Sequence, residues 1–265
     1  MNYVFRSLGR IQSEVSKASR IYLSLDYDGT LTPIVDDPKD ALLQEKFRRL
    51  LGILASRQGC ILSIVSGRRL DVLKKMVKLQ GIYYVGNHGF EIEGPRINFV
   101  HPRARELSRE LRLTSNAIST QLKGISTVLE DKGLTLSVHY RNTPPSDVNR
   151  LLRTVRSVVS ERGKLKLVYD KKVVEIWPRI NWDKGMAVRL IMKTLGRGLP
   201  IYIGDDRTDE DAFVRIKSGI TILVSRRRQR SNAKYYLKNV DDVYKFLSLL
   251  LVAMNARNPS SFSLA

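Results

Sequence analysis

Two aspartates, Asp26 and Asp28, close the apolar run of residues 21–25 and are followed at once by Gly29 and Thr30. Open parallel sheets bind their ligands at the carboxyl ends of strands, and two carboxylates this close repel unless a cation joins them. A second acidic group, Asp205, Asp206 and Asp209 in IYIGDDRTDEDAF, also begins where a short apolar run stops. Helix capping by Thr208 or Asp209, with acids in the first turn, accounts for Asp209, Glu210 and Asp211. It does not account for Asp205 and Asp206 pressed against the strand end. Two such clusters of hard oxygen donors point to Mg²⁺. Ser66 in VSGRR follows another apolar run and opens a helix whose first amides can hold a phosphate oxygen. Lys184 in WDKG stands at a helix start, against the dipole, which suits a lysine aimed at a bound anion. A carboxylate nucleophile, a neighbouring proton donor, Mg²⁺, a hydroxyl and a lysine are together the parts of phosphoryl transfer.

The elements that must carry these residues follow from periodicity. Strands are expected at 21–25, 61–65 and 82–85, with helices marked by Phe47, Leu50, Leu51 and Leu54 and by Leu70, Leu73 and Val77. Strands alternating with helices, and apolar along their length, indicate a parallel sheet covered on both faces. The pattern then changes. A helix over 105–122 precedes strand-like runs at 126–130 and 134–140, joined by an Asp-Lys-Gly turn. Another helix (Val148, Leu151, Leu152, Val155) and another pair of runs, 166–169 and 173–177, repeat the motif. Alternation returns after Pro178, with helices at 184–195, 208–217 and 240–253 and strands at 199–203 and 220–224. The fold class expected is therefore α/β: a Rossmann-like core of residues 1–102 and 179–265, with an α/β domain of residues 103–178 inserted in its middle.

Composition limits the function classes. The 265 residues contain 43% hydrophobic and 27% charged side chains, which excludes global disorder. Forty-six Lys and Arg against 26 Asp and Glu leave a net charge of +20, which attracts anions such as phosphorylated metabolites, nucleic acid or acidic protein. One cysteine and three histidines exclude a disulfide framework and a cysteine-rich zinc site. No run approaches the ~18 apolar residues of a membrane span, and Phe5, Leu8, Ile11 and Val15 recur at helical spacing rather than as a signal peptide. A cytoplasmic location and no membrane partner are expected.

The order Asp-x-Asp-Gly-Thr, Ser-Gly-Arg, Lys-Gly and Gly-Asp-Asp-x-Thr-Asp resembles the haloacid dehalogenase superfamily of phosphatases. Within it, LDYDGTLTPI, VSGRR, YVGNHGFEIE, VLEDKGLTLSVHYRN, VVEIWPRINWDKG and YIGDDRTDEDAF are similar to the trehalose-6-phosphate phosphatase family. The resemblance runs over nearly the whole chain. It implies Asp26 as nucleophile and Asp28 as general acid, then base. It also implies Mg²⁺ on the Asp26 carboxylate, the Asp28 carbonyl and Asp205, with Asp209 ordering the metal's waters and Asp206 ranked below Asp205. Thr30, Ser66 and Lys184 would bind the transferring phosphoryl group. The inserted domain would act as a cap that selects the sugar through Glu130, Lys132, His139, Arg141 and Glu175, its other partner being a trehalose-6-phosphate synthase or another acidic protein. Gly86-Asn87-His88-Gly89 matches a family segment as well, as ligand contacts or as turn formers.

One position departs from the family pattern: Trp177 stands where a basic residue is expected, stacking on a sugar or packing in the hinge. This leaves open other sugar phosphates, namely glucosyl- or mannosyl-glycerate phosphate or sucrose 6-phosphate. The basic groups Arg226-Arg227-Arg228 with Arg230, and Arg103, Arg105, Arg109 and Arg112, leave open a nucleic-acid or acidic-partner binding protein on a phosphatase-like fold. The absence of a nucleic-acid motif and of aromatics beside the basic groups argues against nucleic acid. An intact Asp26, Asp28, Lys184 and Asp205 argues against a catalytically dead relative.

Overall fold

The computed structural model describes residues 1–35, 37–227 and 229–256. The chain divides into two compact units, Met1–Asn98 with the chain from Trp182 onward, and Phe99–Asn181. In chain order the elements are β1 (Asn2–Tyr3), α1 (Leu8–Lys17), β2 (Ile21–Asp26), α2 (Glu45–Ser56), β3 (Cys60–Val65), α3 (Leu70–Val77), β4 (Tyr83–Gly86), β5 (Glu91–Gly94) and β6 (Ile97–Val100). They continue with α4 (Pro102–Glu106), α5 (Ser108–Gln121), β7 (Val128–Asp131), β8 (Leu136–His139), α6 (Pro145–Ser160), β9 (Leu165–Asp170) and β10 (Val173–Pro178). The chain closes with α7 (Lys184–Leu195), β11 (Leu199–Gly204), α8 (Asp209–Arg215), β12 (Ile220–Val224), β13 (Tyr235–Leu237) and α9 (Val240–Asn255).

The first unit is built on a sheet of order β1-β13-β12-β11-β2-β3-β4-β5-β6. Pairing is parallel from β1 to β4 and turns antiparallel at β4–β5. The fold is α/β, as expected. Every residue of the central β2 is buried, the signature of a strand covered on both faces. Ile21, Leu23 and Leu25 enter a core shared with α1, α2 and α9 (Ile11, Phe47, Leu51, Phe246). The alternate residues point the other way: Ser24 bonds Ser63 of β3 (2.8 Å), and the Tyr22 hydroxyl donates to the Gly196 carbonyl behind α7 (2.5 Å). Period-two alternation therefore carries Asp26 to the α7 face, where Lys184 begins its helix.

In the second unit an antiparallel sheet of order β7-β8-β10-β9 packs one face on α5 and α6. Leu136, Val138, Val174 and Ile176 supply that face, with Leu111, Ile118, Leu151 and Val155 from the helices. The intervening residues Ser137, His139, Glu175 and Trp177 share the opposite face.

The expected helix over 105–122 is two helices, α4 and α5, meeting at Leu107. The expected strands at 126–130 and 134–140 narrow to β7 and β8. The strands β5, β6, β1 and β13 are two to four residues long, too short to announce themselves by periodicity. Of the basic groups, Arg103, Arg105, Arg109, Arg112, Arg226, Arg227 and Arg230 are exposed, while Arg228 lies outside the described residues. Among the described residues, no helix is long and apolar enough to cross a membrane.

Candidate active site

The loop after β2 is a tight turn: the Gly29 amide donates to the Thr32 carbonyl (2.8 Å), and the Leu31 and Thr32 amides to that of Tyr27 (2.9 and 3.1 Å). Gly29 holds φ +82°, a left-handed backbone that glycine adopts without strain. The lack of a side chain also makes room for the carboxylate of Asp205, which packs against the Gly29 Cα. The turns after β2 and β11 thus bring both acidic clusters of the sequence together.

Asp26, Asp205 and Asp209 each offer one carboxylate oxygen within 4.8 Å of the others. Lys184 sits among them, 2% exposed, its ammonium donating to Asp26 Oδ1 (2.8 Å) and Asp209 Oδ1 (2.9 Å) and standing 4.0 Å from Asp206. Lys184 thus faces Asp26, Asp206 and Asp209. Burial raises the Asp26 carboxyl well above its ordinary range, and its acidic neighbours add to this against the pull of Lys184. Burial opposes charge on Lys184 too, but Asp209, Asp26 and Asp206 outweigh it and hold the ammonium protonated. The donor set of Asp26, Asp205 and Asp209 is all hard oxygen and largely buried, which fits a divalent cation of the Mg²⁺ kind.

Asp209 is fully buried and has four partners. Its Oδ1 accepts from Lys184 and from the Tyr202 hydroxyl (2.8 Å), its Oδ2 from the amides of Asp205 (3.0 Å) and Asp206 (3.1 Å). It therefore organises the turn that presents Asp205. Asp206 caps α8 in place of Thr208 or Asp209: its Oδ1 accepts from the Thr208 amide (2.6 Å), the Thr208 hydroxyl (2.7 Å) and the Asp209 amide (3.2 Å). Burial would raise its carboxyl, but Lys184 and the Thr208 bonds prevail and keep it below the usual range.

Thr30 and Ser66 are buried at the same strand ends. The Thr30 hydroxyl is buried with no hydrogen-bond partner among the described residues. Ser66 Oγ accepts from the Arg68 amide (3.2 Å), and the Ser66–Arg68 loop is stitched to the next by His88 N to Ser66 O (3.0 Å) and Asn87 N to Arg68 O (2.7 Å). Asn87 and His88, both buried and both at positive φ (48° and 57°), form that second loop, with the His88 ring packed on Gly67.

Three contributors escaped the sequence reading. Arg68 grips the Asp28 carboxylate with two bonds (2.8 and 2.6 Å). Tyr202 reaches Asp209 from inside β11. Asp183 caps α7 through the Met186 amide (2.9 Å) and is held by the Arg215 guanidinium (2.6 Å). Asp183 carries a legible signal, an aspartate just before a helix. The other two depend on residues brought together only by folding.

In the second unit, the face opposite the helices gathers four of the five expected sugar-selecting residues. Lys132 Nζ lies 3.1 Å from Glu175 Oε1, with side chains 7% and 11% exposed, so it is not a solvated turn residue. Glu175 also accepts from Ser137 Oγ (2.9 Å) and Trp177 Nε1 (3.2 Å), and His139 Nε2 lies 3.1 Å from Glu130 Oε2. Burial acts to raise Glu130, but His139 and Lys132 prevail and hold its carboxyl low. Arg141 is exposed, two residues past β8. Trp177 is 5% exposed and packs in this face, with Lys166 Nζ 5.4 Å from the ring centre.

The family profile described as Trehalose-phosphatase matches residues 24–241. Trehalose-phosphate phosphatase B of Arabidopsis thaliana is 38% identical over 256 residues, covering 89% of this chain and 67% of that protein. Trehalose 6-phosphate phosphatase RA3 of Zea mays is 37% identical, covering 92% and 73%. Among solved structures, the C-terminal domain of the Candida albicans trehalose-6-phosphate phosphatase shares the fold at a TM-score of 0.77 and 20% identity, covering 95% of this chain and 98% of that one. The Aspergillus fumigatus enzyme gives 0.65 and 26%, covering 92% and 97%.

Proposed function

This chain belongs to the trehalose-phosphatase family and is a phosphoric monoester hydrolase; from that premise we propose that it hydrolyses trehalose 6-phosphate to trehalose and phosphate through Asp26. The observation that carries the assignment is Lys184 bridging Asp26 and Asp209 beside Asp205, at the ends of neighbouring strands. Lys184 holds Asp26 Oδ1, which leaves Oδ2 to attack phosphorus. That bond forms as the bond from phosphorus to the sugar oxygen breaks, and the leaving oxygen takes a proton from Asp28. Water then attacks the aspartyl-phosphate, Asp28 takes back the proton, and the Asp26 carboxylate is regenerated with release of phosphate. One hard displacement becomes two easier ones.

Thr30, Ser66 and Lys184 bind and orient the phosphoryl oxygens, which is most of what this chemistry asks of a protein. Asp26, Asp205 and the Asp28 carbonyl would hold Mg²⁺, with Asp209 behind them. The ion, when bound, neutralises charge on the transferring group. Glu130, Lys132, His139, Arg141 and Glu175 recognise sugar hydroxyls: a site built of paired carboxylates and cations leaves polar groups unsatisfied with the wrong sugar and so rejects it. Trp177, hydrogen-bonded to Glu175, supports that cluster. A chain with one cysteine suits a reducing compartment, and we assign it to the cytoplasm. The net charge of +20 suits an acidic protein partner, of which the synthase that makes the substrate is the natural one.

The test is phosphate release from trehalose 6-phosphate, with and without Mg²⁺, beside glucosylglycerate phosphate and sucrose 6-phosphate. A Mg²⁺-dependent preference for trehalose 6-phosphate supports the assignment. Preference for another sugar keeps the chemistry and overturns the substrate.

A further inference from the structure

The Asp28 carboxylate is not part of the acidic cluster around Lys184. It is held by Arg68, forty residues along the chain, in a two-point grip: Nε to Oδ2 at 2.8 Å and Nη2 to Oδ1 at 2.6 Å. Arg68 is itself fixed. Its side chain is 14% exposed, its Nη2 also donates to the Pro38 carbonyl (2.8 Å), and its guanidinium lies 5.6 Å from the centre of the Tyr27 ring. The loop that carries it is bonded to Asn87 and His88. The Asp28 side chain is 40% exposed and stands within the turn after β2. A largely buried, braced guanidinium thus presents a planar fork to the more exposed Asp28 carboxylate, a geometry lysine cannot reproduce.

We propose that Arg68 is a positioning residue for proton transfer: it fixes the direction of the Asp28 carboxyl and keeps it out of the acidic cluster of Asp26, Asp205 and Asp209. This rests on the assignment of Asp28 as acid and base made above. Without Arg68 the carboxyl turns freely, and both proton transfers lose their geometry while attack by Asp26 does not. Leaving-group chemistry separates these cases. Release of a sugar alkoxide needs a proton. Release of 4-nitrophenolate, a stable anion, does not. Hydrolysis of the aspartyl-phosphate needs Asp28 as base whichever leaving group formed it.

The experiment compares Arg68→Ala and Arg68→Lys with the wild type by rapid mixing with 4-nitrophenyl phosphate and with trehalose 6-phosphate, in Mg²⁺. Arg68→Ala should release about one nitrophenolate per enzyme in a burst, then turn over about 10²-fold more slowly than wild type, the lower range of general acid–base catalysis. With trehalose 6-phosphate it should show the same loss and no burst. Arg68→Lys, restoring charge without the fork, should fall between. Loss of the nitrophenolate burst itself would make Arg68 a phosphate ligand or a structural residue and overturn the proposal, as would wild-type rates in Arg68→Ala. A wild type that turns over 4-nitrophenyl phosphate but not trehalose 6-phosphate would refute the substrate alone, and the burst would still decide the role of Arg68. A wild type inactive on both would refute both.

Discussion

Exchanging Gly29 for alanine probes how closely the two acidic turns depend on one another. A Cβ at that position would stand within 2.7 Å of Oδ1, Oδ2 and Cγ of Asp205. Ordinary contact lies at ~3.5 Å and the nearest oxygen would stand at 2.1 Å, so the carboxylate must retreat by more than about 1 Å. A shift of that size in a catalytic site costs about 10²-fold in turnover. Metal affinity should fall about 10–100-fold, the range for ligands whose support is lost. The left-handed backbone adds about 1–2 kcal/mol of strain for any alanine. Gly81→Ala is the matched control: Gly81 has φ +74°, and nothing lies within 4 Å of its added Cβ. Urea unfolding, Mg²⁺ titration calorimetry and phosphate release should be measured on both variants. Both should lose about 1 kcal/mol or more of stability, but only Gly29→Ala should lose metal affinity and turnover. The reasoning fails if Gly29→Ala binds Mg²⁺ and turns over within twofold of wild type, or if Gly81→Ala loses affinity equally.

Three further outcomes are expected. Lys132→Met removes the buried ion pair to Glu175 and should destabilise the second unit by about 3 kcal/mol, read as an earlier urea transition; an unchanged transition would show that the pair does not hold that face together. Glu130→Ala should reduce turnover of trehalose 6-phosphate far more than that of 4-nitrophenyl phosphate, and equal losses would make Glu130 structural. The raised carboxyl of Asp26 makes the metal-free protein bind more protons folded than unfolded. The contribution of Asp26 to that protein's stability should therefore decline as pH rises above about 4 and on through the raised value. Mg²⁺, which favours the ionised carboxylate, should bind more tightly with rising pH over the same window. Calorimetry in which Mg²⁺ releases no proton there would contradict this.

Much of this was legible in the residues. Asp26, Ser66 and Asp205 stand where apolar runs end, and the sheet collects strand ends into one place, so residue type and position along a strand sufficed to group them. Lys184 stood out because a lysine opposes the dipole of the helix it opens. What escaped notice depends on contacts distant in sequence. Arg68 looked like one more basic residue in a chain of 46 Lys and Arg until folding laid it against Asp28. Tyr202 looked like strand filler until burial put its hydroxyl on Asp209. Asp206 read as a metal candidate ranked below Asp205, and the sequence did not foretell that its Oδ1 caps α8, because that depends on the hydrogen bonds the fold forms. Lys132, at a turn by sequence, is buried because β10 brings Glu175 beside it.

The nucleophile is the centre of the assignment, and single turnover tests it most directly. Enzyme in excess over trehalose 6-phosphate labelled in its phosphoryl group would be mixed with Mg²⁺, quenched in acid within milliseconds, digested and mapped. Transient label on the peptide carrying Asp26, absent from Asp26→Asn, is the expected result. Turnover with no label on the protein at any time, or label on another residue, would contradict it.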